Sequence, residues 1–77
     1  MKLLVMINHN GHGRRWSAHI IEFGTPTQDL EVPPNICLGD DSFMDFVEKV
    51  TAEMNQVPVG VVNVGLIHVF QLSPPTK

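Results

Sequence analysis

The sequence predicts a small α+β domain, with a mainly antiparallel sheet of three to five strands and one amphipathic helix packed on one face. One segment, residues 41–55, repeats its apolar residues at helical spacing, whereas the segments around it alternate or are apolar throughout, as strands are. Glycine, proline and asparagine separate these segments, as expected of turns. The predicted element order is β-β-(β)-α-β.

The size of the chain limits the core that it can build. Its 77 residues suit one domain, 1–77, near the lower limit for folding without help. A single core in a chain of this length rarely contributes more than about 3–5 kcal/mol net to stability. Cys37 is the only cysteine, so these residues cannot form an internal disulfide, and a reducing compartment such as the cytoplasm is favoured. We therefore expect self-association or a protein partner to add stability.

The charge balance disfavours two classes of function. Five Lys and Arg stand against eight Asp and Glu, which gives a net charge of −3. Nucleic-acid-binding domains need a basic stripe to neutralise phosphates, so direct nucleic-acid binding is disfavoured. The apolar runs at 3–7 and 57–70 are respectively too short for an export signal and too interrupted for a membrane span. We expect a soluble protein with no membrane association.

The first two strands are predicted to form a hairpin. Residues 2–8 are apolar on both faces, which is typical of a central strand. Asn10-Gly11 is a strong turn signal, because both residues accept the positive φ of a type I′ turn. Residues 14–23 then alternate, with Trp16 and Ile20 on one face.

The segment between this hairpin and the helix is irregular. Residues 24–28 are predicted to form a turn and residues 29–32 a short strand. Pro33-Pro34 ends that strand, since consecutive prolines supply no backbone donors. Residues 35–38 form a further short extended piece in this interpretation.

The helix has an apolar stripe and clear end signals. Asp41 or Ser42 is predicted to cap it, and Ser42 with Asp45 resembles a capping box. Pro58 prevents continuation beyond about residue 56. The stripe consists of Phe43, Phe46, Val47, Val50 and Met54.

The apolar segment after the helix allows two interpretations. Residues 57–72 form either one bent strand or two short strands that turn near residues 63–65. The terminal strand, residues 66–72, lies either at a sheet edge or beside the first strand in the middle of the sheet. Residues 73–77 are predicted to be a disordered tail.

A single helix can cover only one face of such a sheet. The opposite face then needs polar residues or a partner. The predicted core consists of Leu3, Val5, Ile7, Trp16, Ile20, Phe43, Phe46, Val47, Val50, Ile67 and Val69.

Metal and catalytic sites are not predicted. His9 and His12 are weak metal-ligand candidates three residues apart, but His19 lies about 23 Å further along an extended strand. Cys37 stands between apolar neighbours and is typical of a small buried residue rather than of a nucleophile. We expect no cofactor and no enzymatic activity.

Two groups of residues are candidates for binding a partner. Asp40, Asp41, Asp45 and Glu48 form an acidic patch suited to a basic protein, although helix capping and a solvated face also explain them.

The second group is Arg14-Arg15-Trp16, which joins basic and aromatic residues. These residue types are enriched at binding hot spots and also suit base stacking. The alternative, which we favour for Trp16, is that this side chain anchors the core.

The leading expectation is a non-enzymatic protein-binding module or inhibitor that occludes or bridges a larger partner. A homodimer through a sheet face or edge strand is one form of this. Phage-encoded inhibitors of host systems, including anti-CRISPR proteins, offer an analogy in size and composition only. One alternative is a nucleic-acid-binding accessory protein that uses the Arg14-Arg15-Trp16 hairpin. The other is a metal-binding protein that uses the loop containing His9 and His12.

Overall fold

The computed structural model describes residues 1–9 and 15–75. In these ranges the chain forms five strands and one helix. They are β1 (Lys2–Asn8), β2 (Trp16–Glu22), β3 (Thr25–Leu30), α1 (Asp41–Glu53), β4 (Val57–Val64) and β5 (Ile67–Ser73). All neighbouring strands are antiparallel, in the order β3-β2-β1-β5-β4. The predicted α+β fold class is confirmed, with a helix on one face of the sheet.

The central position of β1 follows from its apolar character. It pairs with β2 on one side and with β5 on the other, so both of its edges are hydrogen-bonded within the sheet. The predicted hairpin of β1 and β2 is confirmed, with Asn8 opposite Trp16. The Asn10-Gly11 turn lies outside the described residues.

The β2–β3 connection corrects the prediction of a turn over residues 24–28. Glu22 pairs with Thr25, so Phe23 and Gly24 alone form the turn, with φ of 51° and 79°. A bulky residue such as Phe rarely adopts positive φ, which is why this hairpin turn was missed. Pro26 is tolerated in β3 because an edge strand needs no donor on its outer side.

The stretch between β3 and α1 also differs from the prediction. The strand expected at residues 29–32 is shifted, because β3 already ends at Leu30. Residues 35–38, expected to be extended, form turns and irregular structure. Ile36 from this stretch is buried in the core.

The helix α1 begins at Asp41 as predicted, but its cap lies one residue before the predicted Asp41 or Ser42. Asp40 is the N-cap, and its Oδ1 accepts a hydrogen bond from the Ser42 backbone N–H at 2.9 Å. The Ser42 hydroxyl also donates to this carboxylate. The capping box predicted for Ser42 and Asp45 is therefore wrong, because the aspartate before the helix takes the capping role.

The end of α1 is set by a left-handed residue rather than by Pro58. Asn55 has φ of 57°, and its N–H donates to the Ala52 carbonyl at 3.0 Å. The Gln56 N–H donates to the Thr51 carbonyl at 2.8 Å, which completes a Schellman motif. The helix ends at Glu53, two residues before the predicted end.

The apolar segment after α1 forms two strands, one of the two predicted interpretations. Val64 pairs with Ile67, so Gly65 and Leu66 form the turn, and Gly65 has φ of 58°. The terminal strand β5 pairs with β1 inside the sheet, which is the second of the two predicted placements, and β4 forms the edge. Ser73, predicted to begin a tail, belongs to β5, and residues 76–77 lie outside the described ranges.

The core lies between α1 and one sheet face. The predicted helix stripe is confirmed, because Phe43, Phe46 and Val47 are buried and Val50 and Met54 pack against them. Trp16 and Ile20 are buried as predicted, opposite this stripe. The remaining strand residues of the core are Leu4, Met6, Ala18, Phe70 and Leu72.

The predicted core assignment was wrong for five residues of β1 and β5. These strands are apolar on both faces, so alternation alone could not show which face meets the helix. The residues placed on the far face of the sheet are Leu3, Val5, Ile7, Ile67 and Val69.

Within the described ranges, no helix has the length and apolar character needed to cross a membrane.

The two faces of β1 should differ in their contribution to stability. Leu4 is fully buried under α1, so Leu4→Ala should lower the free energy of unfolding by about 2–5 kcal/mol through lost burial and a cavity. Leu3, on the far face, is only partly buried, and Leu3→Ala should cost less than about 1 kcal/mol. Urea unfolding of both variants measures the difference. Equal losses would contradict this assignment of the faces.

Candidate functional site

The sheet face opposite α1, here named the open face, carries a continuous apolar block. Opposite residues of antiparallel strands share a face, so the pairing of strands shows which side chains meet. Ile7 pairs with Ile67, which pairs with Val64. In the next row of the face, Val5 pairs with Val69, which pairs with Val62. We name these two rows the apolar block: Val5, Ile7, Val62, Val64, Ile67 and Val69.

The apolar block becomes more exposed towards β4. Its members on β1 are partly covered by their neighbours. Ile67 on β5 is 40% exposed, whereas Val62 and Val64 on β4 are 52% and 66% exposed. Leu3 and Ile21, which pair with each other, extend the aliphatic surface on the side of β2. The open face therefore has aliphatic side chains on four of its five strands.

The other half of the open face is polar. Ser17 and His19 follow each other on the exposed side of β2, opposite Ile7 and Val5. The His19 ring donates from Nδ1 to Asp29 Oδ1 at 2.6 Å across the β2–β3 pair. Apolar and polar halves thus meet along the boundary between β1 and β2.

The polar half does not assemble a catalytic triad. The hydroxyl of Ser17 is hydrogen-bonded to His9 Nε2, whereas the carboxylate of Asp29 is hydrogen-bonded to His19. In a triad, one histidine must contact both the nucleophile and the carboxylate. Here two different histidines make the two contacts.

His68 is the buried polar group of the core. Its ring lies 5.5 Å from the Trp16 ring and 5.4 Å from the Phe43 ring, and the residue is 5% exposed. Its Nε2 makes no hydrogen bond within the described part of the chain. Burial of the ring lowers the pKa of His68 below its usual value of 6.5, because desolvation disfavours the charged form.

The four acidic candidates are all exposed, and Asp41, Asp45 and Glu48 follow each other at helical spacing on one side of α1. Asp40 caps the helix, and Asp41 lies in its first turn. Asp45 lines a shallow groove between α1 and the loop of residues 33–36. Glu48 lines a different groove, between α1 and β4.

The structure describes two residues of the Arg14-Arg15-Trp16 group. Arg14 lies outside the described residues, and Arg15 is exposed before β2. Trp16 is buried, with its ring centroid 4.9 Å from that of Phe43. Its ring is therefore engaged in the core, on the sheet face opposite the open face.

Of the two metal candidates, the structure describes only His9. Among residues 1–9 and 15–75, no group of three or more His, Cys, Asp and Glu side chains could hold a metal ion. His9 contacts Ser17, and His12 lies outside the described residues. Cys37 is partly exposed in the loop before α1, where its backbone N–H donates to Ser42 Oγ at 3.0 Å.

Sequence reasoning anticipated an uncovered sheet face but not the residues on it. The sequence analysis assigned four members of the apolar block to the core, namely Val5, Ile7, Ile67 and Val69. It did not single out the β4 valines. The available signal was the two-sided apolar character of β1 and β5, since one helix can cover only one side.

The chain matches no protein-family model, no curated protein sequence and no solved structure. The arrangement of its own residues must therefore carry the functional argument. The feature that stands out is the apolar block, which is continuous, partly exposed and free of charge.

The buried ring of His68 should make stability depend on pH. Because its pKa is lower in the folded state, the unfolded chain binds a proton first as the pH falls below about 6.5. The stability that neutral His68 contributes is complete above that pH and is lost as the pH falls towards the folded-state pKa. His68→Met should flatten this dependence. Urea unfolding between about pH 7.5 and about pH 5.5 measures it.

His9→Gln provides the control, since His9 is exposed and lies outside the core. This variant should keep the pH dependence of the parent chain. If His68→Met keeps the same slope as His9→Gln, then the pH dependence does not come from His68.

Proposed function

We propose that this chain is a non-enzymatic protein-binding module whose open face docks on a protein partner. The observation that supports the proposal most directly is the apolar block, which extends over three adjacent strands and includes the half-exposed side chains of Val62, Val64 and Ile67. Aliphatic surface of this kind gains free energy when it leaves water. Contiguous exposed apolar patches commonly mark interaction sites.

The dimensions of the open face suit a protein interface. Five strands spaced about 4.8 Å apart, each about 23 Å long, give a face of roughly 500 Å² in projection. A standard interface buries about 800 Å² of accessible surface on each partner, and side-chain relief makes accessible area larger than projected area. The open face is thus large enough for a specific but modest interface.

The composition of the open face also suits protein recognition. An apolar centre beside polar groups is the usual arrangement of interfaces. Here the apolar block is bordered by Ser17 and His19, and Asp29 lies beside His19 on the next strand, so these polar groups can exchange hydrogen bonds with a partner. The partner is expected to present an apolar patch with hydrogen-bonding groups along one side.

Occlusion or bridging of a larger partner is the mode of action we favour. A domain of 77 residues that presents one flat apolar face covers part of a larger surface without needing chemistry of its own. This is how a small inhibitor of host machinery would act. A second copy of the chain could occupy such a surface as well.

The proposal is tested by placing a charge in the apolar block. Ile67→Glu should weaken partner binding at least about tenfold, because a buried unpaired carboxylate costs more than about 1.4 kcal/mol. The measurement is a comparative pull-down from the native host lysate, followed by titration of the captured protein. The effect of Ile67→Glu on folding should be small, since this side chain is 40% exposed.

Met44→Glu is the matched control, since Met44 is 42% exposed but lies on the helix side of the molecule, in the groove between α1 and β4. It adds the same charge to an apolar side chain of similar exposure. A partner that is lost with Ile67→Glu and kept with Met44→Glu supports docking on the open face. Equal capture by the parent chain and both variants would refute it.

A further inference from the structure

The two edges of the sheet are protected to different degrees. Edge strands carry backbone N–H and C=O groups that can pair with another chain, and proteins usually block them with prolines, charges or bulges. The β3 edge has Pro26, the charged Asp29 and a register shift opposite Ile20 and Ile21. Every residue from Thr25 to Asp29 is exposed, and none is aliphatic.

The β4 edge is protected only in its first half. Pro58 and a register shift between Pro58 and Gly60 interrupt the start of the strand. The next four residues pair with β5 without interruption; they are Val61, Val62, Asn63 and Val64. The three valines are 59%, 52% and 66% exposed, and residues 57–64 include no charged residue. Uncharged, apolar and regular strands are the ones that recruit a further strand.

We propose that two copies of this chain pair through β4, antiparallel about a twofold axis, and so form a continuous sheet of ten strands. This inference goes beyond the proposed function, because it uses the edge of the sheet rather than the open face. The pairing is self-complementary, since the same edge serves both copies.

The register of this pairing follows from the alternation of side chains. In an antiparallel pair, residues directly opposite each other must point to the same face. Around a twofold axis, this requirement places one residue opposite its own copy. Within residues 61–64, the positions nearest the centre are Val62 and Asn63, so one of these lies on the axis.

The charge of the edge favours a second copy over a charged partner. The chain has a net charge of −3, so two copies repel each other wherever their acidic surfaces meet. Along residues 57–64 there is no charge to repel or to attract. This strand offers no charged group to complement an acidic or basic partner. An identical strand can pack its own valines against these valines.

The area of the edge predicts a weak dimer. The pairing covers one strand and its flanking valines, which is less than the roughly 800 Å² per partner of a standard interface. Weak interfaces of this size correspond to dissociation constants in about the micromolar range. The dimer should therefore depend on concentration rather than be permanent.

The edge pairing is tested first by sedimentation velocity over a concentration series from about 5 to about 500 µM, which spans the expected dissociation constant. The weight-average mass should rise from 8.6 kDa towards twice that value.

Asn63→Lys should weaken dimerisation at least about tenfold, because it places like charges next to each other across the axis. Gln28→Lys makes the same kind of change on the β3 edge and should leave dimerisation unchanged.

Cysteine cross-linking provides a second test that does not depend on destabilising the dimer. In a Cys37→Ser background, either Val62→Cys or Asn63→Cys should form an intermolecular disulfide under mild oxidation. Residues opposed in an antiparallel pair have Cα atoms about 4.5–5.5 Å apart, which suits a disulfide. Gln28→Cys in the same background should form far less cross-linked dimer.

Circular dichroism confirms that each variant is folded. A mass that stays at 8.6 kDa over the whole concentration series would overturn the inference. So would a dimer whose dissociation constant is unchanged by Asn63→Lys and that forms no cross-link through either introduced cysteine. Ile67→Glu should leave this dimer intact, because Ile67 lies on β5, one strand away from the edge. Loss of edge pairing and loss of open-face binding are therefore distinguishable.

Discussion

One helix must cover a sheet of five strands, and this mismatch of widths governs the molecule. A helix with its side chains is about 10–12 Å wide, whereas five strands at about 4.8 Å spacing extend over more than twice that width. α1 therefore covers the middle of one face, where β1, β2 and β5 supply the core. The opposite face receives no such cover from the described elements, and the valines at positions 61, 62 and 64 of β4 remain more than half exposed. The surfaces on which we base function are the ones that this helix leaves exposed.

Phe43 holds the helix to the sheet at the centre of the covered face. Its ring lies 4.9 Å from Trp16, 5.4 Å from His68 and 5.8 Å from Phe70, so it contacts strands from both sides of β1. Tilted aromatic contacts at these distances add to the hydrophobic gain of burial. The same packing encloses the imidazole of His68, which is why an apolar anchor brings a pH-sensitive group into the core.

β4 links the two surfaces that the helix leaves uncovered. Its residues Val62 and Val64 belong to the apolar block, and the same strand forms one edge of the sheet. A dimer through β4 would leave both helices on one side and place the two open faces next to each other on the other. A weak dimer would then present a partner with a doubled apolar surface, which would strengthen binding through multivalency.

Local sequence signals determined the elements whose pattern depends on near neighbours. The stripe from Phe43 to Met54 specifies a helix because its spacing repeats every 3.6 residues, and the apolar run of β1 specifies a central strand. The hairpin of β1 and β2 could be predicted for the same reason. From the predicted single helix it also followed that one sheet face would remain uncovered. The suggested partner-binding roles all remain predictions, for Arg14, Arg15, Trp16, Asp40, Asp41, Asp45 and Glu48.

Only the tertiary structure decided which residues lie on each face and which strand forms the edge. An alternating pattern does not distinguish Leu3 from Leu4. Only the packing of α1 places Leu4 in the core and Leu3 on the open face. Likewise, β4 and β5 are both rich in apolar residues, and only the pairing with β1 places β5 inside the sheet. The positive φ of Phe23 depends on the β2–β3 pairing. Strand order and register arise from contacts between distant segments, and a local pattern cannot specify those contacts.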